Sequence, residues 1–361
     1  MHIEDFLKKE NNNLDLIRIF LASFVILGHT IALNGDTSLW VDPITFFFPI
    51  TYSGALSVKI FFFISGLVVT NSCIKNDNFI YFIIARLFRI MPALFCLLLI
   101  TVFIIGPIYT LLSIKEYFLT QDYFNYLKNN MLFRTEWKLP GLFTRNLYKD
   151  AINGSLWSLH YEMYAYLYLM LSFLVIKIKR RLLFNLIFII ILIDSSLSTR
   201  IIFNQLGNDP AIYLLPFSFA SGAFFAVNAK WIKISSITVL FLFILFIIAK
   251  KTNLEEIALL AFFCNLTVYI SSLKLLLKFK PKFDISYGIY LWGFLVQQIV
   301  YHLFGKLYAG THFIISLIIS VIIAYISFIS IEKPFITLGR KTFNLIDLKL
   351  LKLKNHFTNI D

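Results

Sequence analysis

Ten apolar runs, each close to the length that crosses a lipid bilayer, restrict the fold of this chain more than any other feature. Short polar breaks separate them, and 59% of the residues are hydrophobic while only 15% are charged. A helix needs about 20 apolar residues to span the hydrocarbon core. We therefore predict an all-α, polytopic membrane protein with about ten transmembrane helices. The predicted spans are residues 14–34, 54–73, 90–112, 155–176, 182–198, 211–228, 232–249, 254–273, 285–304 and 311–331.

The net charge is +13, and the basic residues are unevenly distributed among the connections between the predicted spans. With the amino terminus inside, the cytoplasmic connections carry roughly twice as many Lys and Arg residues as the outer ones, as the positive-inside rule requires. This distribution predicts that both termini are cytoplasmic, and it accounts for the basic charge without a nucleic-acid partner. We expect residues 1–340 to form the transmembrane domain and residues 341–361 a basic cytoplasmic tail.

The first apolar run contains two ionisable residues, Arg18 and His29. Their separation of eleven positions places both side chains on one stripe of an α-helix, about 16 Å apart along its axis. Ionisable residues within a span are costly and usually face a wet cavity or the protein interior. The pair is therefore the first candidate for a functional site.

A second basic pair, Arg86 and Arg89, precedes the third span. Residues three apart share a helix face, and two guanidinium groups at the inner boundary suit a phosphate-bearing ligand that arrives from the cytoplasm. The alternative is that both side chains only anchor the helix by reaching to the membrane surface.

The fourth span contains Glu162, which its distance from the outer helix end predicts to lie at a depth comparable to that of His29. A carboxylate beside an imidazole would hold both groups in the membrane and raise the basicity of the His. A purely structural His–Glu pair is the alternative. Trp157 and Ser158 precede Glu162 on the same helix.

Three other features have two interpretations each. Ser65-Gly66 in the second span permits close helix approach or a kink. The hydroxyl groups around Tyr287 either line a cavity or belong to an interfacial aromatic belt. The connection over residues 113–154 either meets an extracytoplasmic substrate or forms a packed external cap.

Taken together, these stretches resemble the acyltransferase 3 family, integral-membrane O-acyltransferases that modify bacterial surface and secreted glycans. The resemblance covers about residues 12–334, and the order of the motifs also matches. The stretches are Leu14-Asp15-Leu16-Ile17-Arg18 with His29, Phe62-Phe63-Ile64-Ser65-Gly66, Arg86 with Arg89 and Pro92, Trp157-Ser158-Leu159 with Glu162, Ser286-Tyr287-Gly288-Ile289-Tyr290-Leu291-Trp292, and Glu332-Lys333-Pro334.

The resemblance implies that an acyl group passes from cytoplasmic acyl-coenzyme A, a co-substrate and not a permanently bound cofactor, to a sugar hydroxyl at or beyond the outer face. His29 suits the general base because its pKa lies near neutrality. One departure is visible, since the family often has His where this chain has Gly293. The implied site consists of His29, Glu162 and Arg18 as catalytic residues, Arg86, Arg89, Ser65 and Tyr287 as donor-binding residues, and Trp157 and Ser158 as acceptor-binding residues.

We expect acetyl transfer to a polysaccharide such as lipopolysaccharide O-antigen, capsule or exopolysaccharide, by a multi-pass protein of the bacterial cytoplasmic (inner) membrane. One alternative is transfer of succinyl or another acyl group to a small lipid-linked or secreted acceptor. A transporter or glycan flippase, in which Arg18, His29 and Glu162 form a relay, is the alternative from another class. The sequence contains no GxSxG, Walker or metal-cluster motif, so we expect no metal site.

Overall fold

The computed structural model describes residues 1–36, 41–76, 78–149, 151–175, 180–197, 201–206 and 209–358. Within these ranges the chain is α-helical and contains no β-strand beyond isolated bridges, which confirms the predicted fold class. The principal helices are α1 (Leu14–Asn34), α2 (Ser53–Asn76), α3 (Phe79–Ile100), α4 (Ile114–Leu119), α5 (Asp122–Met131), α6 (Trp157–Val175), α7 (Arg180–Ser196), α8 (Leu215–Val227), α9 (Ser236–Ala249), α10 (Glu255–Ser271), α11 (Ser286–Phe304), α12 (Ala309–Ser327) and α13 (Lys333–Thr358).

Each of the ten predicted spans falls on one of these helices. In the part of the chain that the structure describes, four helical segments are long and apolar enough to cross a membrane: Leu14–Asn34, Ser53–Lys75, Ile80–Tyr109 and Ala309–Asp347. Shorter apolar helices include Ala211–Val227 and Ser236–Ala249. The number of spans and the cytoplasmic position of the termini stay predictions.

Helix α3 begins about ten residues earlier than the predicted third span. The Asn78 side chain caps it by accepting a hydrogen bond from the Tyr81 backbone N–H at 3.2 Å. The prediction placed Arg86 and Arg89 in the preceding connection because charged residues normally mark the end of a span. Both instead lie within the helix, where Arg89 pairs with Asp284 and Arg86 lies over the Tyr166 ring. The helix continues through a π-helical turn, Thr101–Ile105, to Tyr109.

Helices α2 and α8 cross with their backbones in contact, which explains the Ser-Gly pair in the second span. A Cβ atom on Gly66 would lie 2.1 Å from the Phe219 carbonyl oxygen, and one on Gly222 would lie 2.0 Å from the Phe63 carbonyl oxygen. Each distance is far below van der Waals contact, so both positions require glycine. Of the two interpretations, the structure supports close approach.

Replacing Gly66 with Ala is expected to destabilise the protein by about 1–3 kcal/mol, the usual cost of an added methyl group in a fully packed interior. The new methyl group meets backbone atoms of α8, which cannot rotate away as a side chain would. The melting temperature of the purified protein in detergent measures this effect. If the variant had the same melting temperature as the wild type, α2 and α8 would be able to move apart with no loss of stability, contrary to this prediction.

Helix α11 packs against both α1 and α12, which also contact each other. Gly293 allows this, because a Cβ there would lie 2.7 Å from Cγ1 of Ile26. Gln297 of α11 also binds α1, because its side-chain amide donates to the Ile26 carbonyl oxygen at 2.9 Å. As a result, the start of α11 lies beside the start of α1. Asp284, two residues before α11, is therefore close to α1.

The connection over residues 113–154 is a packed cap. It contains α4 and α5, whose Tyr117 and Tyr126 are fully buried. Asn146 and Asn153 bind α11, donating to the Gln298 side-chain oxygen at 2.8 Å and to the Leu291 carbonyl oxygen at 2.7 Å. The cap therefore fixes one end of α11.

Helix α12 continues through a second π-helical turn, Phe328–Glu332, directly into α13. The helix is thus continuous across residues 340 and 341, where the sequence analysis places the domain boundary. That division and the cytoplasmic position of the tail stay predictions.

Candidate active site

Seven of the nine predicted site residues line a single cavity of about 90 Å³. Helices α1, α2, α3, α6 and α11 enclose it, and we call it the central cavity. It is lined by side chains from distant parts of the sequence, including all three predicted arginines. The seven residues are Arg18, Ser65, Arg86, Arg89, Ser158, Glu162 and Tyr287.

Arg18 and Arg89 are held on one carboxylate. Nη1 of Arg18 lies 3.1 Å from Oδ2 of Asp284, and Nη2 of Arg89 lies 2.9 Å from the same oxygen. Ser286 donates to the other oxygen from its hydroxyl at 2.5 Å and from its backbone N–H at 3.2 Å. Burial alone would raise the pKa of Asp284, but the two guanidinium charges and the Ser286 hydrogen bonds lower it to about 2, so this carboxylate is ionised at physiological pH.

Glu162 lies against α2 and not against the His29 imidazole. Its Oε1 accepts hydrogen bonds from the hydroxyl groups of Tyr166 and of Ser65, the latter at 3.4 Å. Arg86 extends over the Tyr166 ring, with its Cζ 5.9 Å from the ring centroid. The predicted hydrogen-bonded contact between Glu162 and His29 is absent among the described residues.

A second group of hydroxyls closes the cavity on the side of α6 and α11. The Ser158 and Tyr290 hydroxyl oxygens lie 2.6 Å apart, and Tyr290 also donates to the Ser155 carbonyl oxygen at 2.8 Å. Tyr287 donates to the Ile90 carbonyl oxygen on α3 at 3.0 Å. The cavity interpretation of Tyr287 is therefore confirmed.

His29 and Trp157 do not line the central cavity. His29 lies nearer the far end of α1, where its ring meets Phe294 of α11 edge-to-face with centroids 5.2 Å apart. Its Nδ1 is buried without a hydrogen-bond partner among the described residues, while the side chain as a whole is partly exposed. Trp157 packs edge-to-face on Tyr161.

The comparison with known families decides the class of this site. The sequence profile described as an acyltransferase domain matches residues 11–329, which is most of the chain. This chain belongs to the acyltransferase 3 family. It is an acyltransferase, and the transporter alternative has no support.

Two curated proteins are similar to this acyltransferase. An O-acetyl transferase of Shigella phage Sf6 is 28% identical over 344 residues, which cover 91% of this chain and 97% of the phage protein. Nodulation protein 10 of Rhizobium leguminosarum bv. viciae is 42% identical over 89 residues, which cover 23% of this chain and 22% of that protein. No solved structure matches the acyltransferase.

Three residues of the acyltransferase site were not assigned from the sequence: Asp284, Tyr166 and Tyr290. Asp284 had a usable signal, because an acid at the start of an apolar span needs a cationic partner at the same end of the bundle. Tyr166 and Tyr290 had none, since tyrosine in a span is equally consistent with packing. Among the described residues that line the cavity, three arginines face one carboxylate, that of Glu162, while Asp284 binds two of the arginines from outside the lining. The site therefore favours an anionic ligand.

Proposed function

We propose that this acyltransferase transfers an acetyl group from acetyl-coenzyme A to a sugar hydroxyl of a surface or exported polysaccharide, across the bacterial cytoplasmic membrane. The observation that carries the proposal is the central cavity, in which arginines for an anionic donor stand beside serine and tyrosine hydroxyl groups. The similarity to a phage O-acetyl transferase over nearly the full length supports the acetyl group.

The donor enters from the end of the bundle at which Arg18, Arg89 and Asp284 meet, which we place in the cytoplasm. Arg86 is free to bind a phosphate group because no carboxylate contacts it among the described residues. Asp284 fixes the positions of the Arg18 and Arg89 guanidinium groups, which together keep a net positive charge beside the cavity.

The transfer uses His29 as general base. The acceptor hydroxyl oxygen attacks the thioester carbonyl carbon and its proton passes to the imidazole. The C–S bond then breaks, and the departing thiolate takes that proton from the imidazolium, which restores neutral His29. Arg18 and His29 lie on the same stripe of α1, about 16 Å apart along its axis. The flexible arm of the donor spans this distance, so phosphate binding and chemistry occur at opposite ends of one helix.

Glu162, Tyr166 and Ser65 position the donor arm between these two ends. Ser158 and Tyr290 form a hydroxyl pair in which Tyr290 donates to the Ser155 carbonyl oxygen and Ser158 to Tyr290. To stabilise the oxyanion that forms when a thioester carbonyl is attacked, one of the two hydroxyls must exchange this hydrogen bond for one to the substrate. Trp157 packs on Tyr161 and shapes the acceptor entrance.

The test is transfer of radiolabelled acetyl from acetyl-coenzyme A to lipopolysaccharide, in vesicles that contain only this purified protein. We expect alkali-labile label in the polysaccharide, because an O-acetyl ester is cleaved by mild base. Label that enters the glycan only from succinyl-coenzyme A would overturn the acetyl assignment. Absence of label from either donor with lipopolysaccharide, capsule and exopolysaccharide would overturn the proposed function.

A further inference from the structure

A second cavity of about 140 Å³ lies between α3 and α13, and the sequence analysis did not anticipate it. We call it the carboxy-terminal cavity. Arg86 and Arg89 line both this cavity and the central cavity. The two cavities therefore adjoin at the arginine pair. Helix α13 lines the carboxy-terminal cavity but not the central cavity.

A third guanidinium group, that of Arg340, also lines the carboxy-terminal cavity and adds to its positive charge. The lining contains arginines at three positions and no acidic residue. Asp284 neutralises part of the charge of Arg89, but neither Arg86 nor Arg340 contacts a carboxylate in the described part of the chain. Two unpaired guanidinium groups at one cavity are a typical arrangement for binding phosphate.

Helix α13 is docked on α3, which fixes the position of Arg340. A Cβ on Gly339 would lie 2.8 Å from Cβ of Phe88, so the two helices pack as closely as a glycine permits. One turn further, the Phe343 ring meets Tyr81 of α3 edge-to-face, with centroids 4.9 Å apart. Arg340 thus extends from a packed helix and not from a free tail.

Resting on the proposed function, we infer that the carboxy-terminal cavity binds a phosphate group of the nucleotide end of the acyl donor, with Arg340 and Arg86 as its ligands. The volume is smaller than the roughly 300–1,000 Å³ of a pocket that encloses a whole small molecule. It holds a phosphate group, while the rest of the nucleotide lies at the surface beside Tyr81. The thioester arm then enters the central cavity past Arg86 and Arg89.

The experiment measures acetyl transfer by the full-length protein in vesicles, with two donors that differ in phosphate. Arg340→Gln is expected to raise the KM for acetyl-coenzyme A about tenfold, the effect of one hydrogen bond to a charged group. The KM for S-acetyl-pantetheine, which carries no phosphate, should not change. Inhibition by adenosine 3′,5′-bisphosphate should weaken about tenfold in the same variant, which tests the phosphate contact without a thioester.

Lys341→Gln is the matched control, because it removes one positive charge from the next residue, which does not line the cavity. An equal rise in KM for both donors, or an equal effect of the two substitutions, would overturn the inference. The same holds if the effect of Arg340→Gln disappears in vesicles of pure phosphatidylcholine and returns with phosphatidylglycerol, since the cavity would then bind an anionic lipid headgroup. If the wild-type protein transfers acetyl from neither donor, the proposed function itself fails.

Discussion

Replacing His29 with Ala is expected to lower acetyl transfer by a factor of about 10² to 10⁴, the usual contribution of a positioned general base. The fold should survive, because Nδ1 of His29 has no hydrogen-bond partner to lose among the described residues. The contact with Phe294 contributes about 0.5–1.5 kcal/mol at most. The rate of label transfer at saturating acetyl-coenzyme A measures the effect, with equal amounts of each protein in the membrane.

His160→Ala is the matched control, since this imidazole also lies on an apolar helix and contacts Tyr161, with ring centroids 3.8 Å apart, but it takes no part in the proposed transfer. It should retain near wild-type transfer. Full activity in His29→Ala would remove the general base from the proposed mechanism. Recovery of activity with added imidazole would place the missing group in the chemistry and not in the fold.

Replacing Asp284 with Ala is expected to destabilise the protein by about 3–5 kcal/mol, because the substitution leaves two partly buried guanidinium groups without their counter-charge. The carboxylate is only 12% exposed, and Arg18 and Arg89 share it. Transfer should fall as well, since both arginines lose their fixed positions. Thermal unfolding of the purified protein in detergent measures the first effect.

The control for Asp284 is an ion pair of similar length at the surface. Asp5 accepts from Lys8 at 2.8 Å, but both side chains are about half exposed, and solvent screening leaves such pairs with little effect on stability. Asp5→Ala should therefore hardly change the melting temperature. Equal shifts in the two variants would mean that Asp284 does not hold the arginines in the membrane-embedded protein, while Asp284→Glu should retain part of the stability.

Hydropathy predicted where the helices lie, because the length of an apolar run can be read from neighbouring residues alone. It did not predict which side chains meet. Arg18 and Asp284 are 266 positions apart, and their contact depends on the packing of α11 against α1, which the sequence of either helix alone does not determine. The alternating direction of successive spans places Arg18, Arg89 and Asp284 at the same end, so their proximity was inferable, but their shared carboxylate was not.

The predicted pairing of Glu162 with His29 failed for a specific physical reason. Depth was counted from the outer end of each helix, on the assumption that this end lies at the membrane surface. The residues before α6, from Ala151 to Ser155, are buried under the cap, so the first turn of α6 already lies inside the protein. Glu162 consequently reaches Ser65, twelve residues into α2, and lies beside the arginines.

The contact between Gly293 and Ile26 has a consequence for any change at position 293. A Cβ there would lie 2.7 Å from Cγ1 of Ile26, so a larger residue requires that side chain to shift or to become smaller. We therefore expect Gly293→His to be tolerated better together with a smaller residue at position 26 than alone. The two positions should be substituted as a pair.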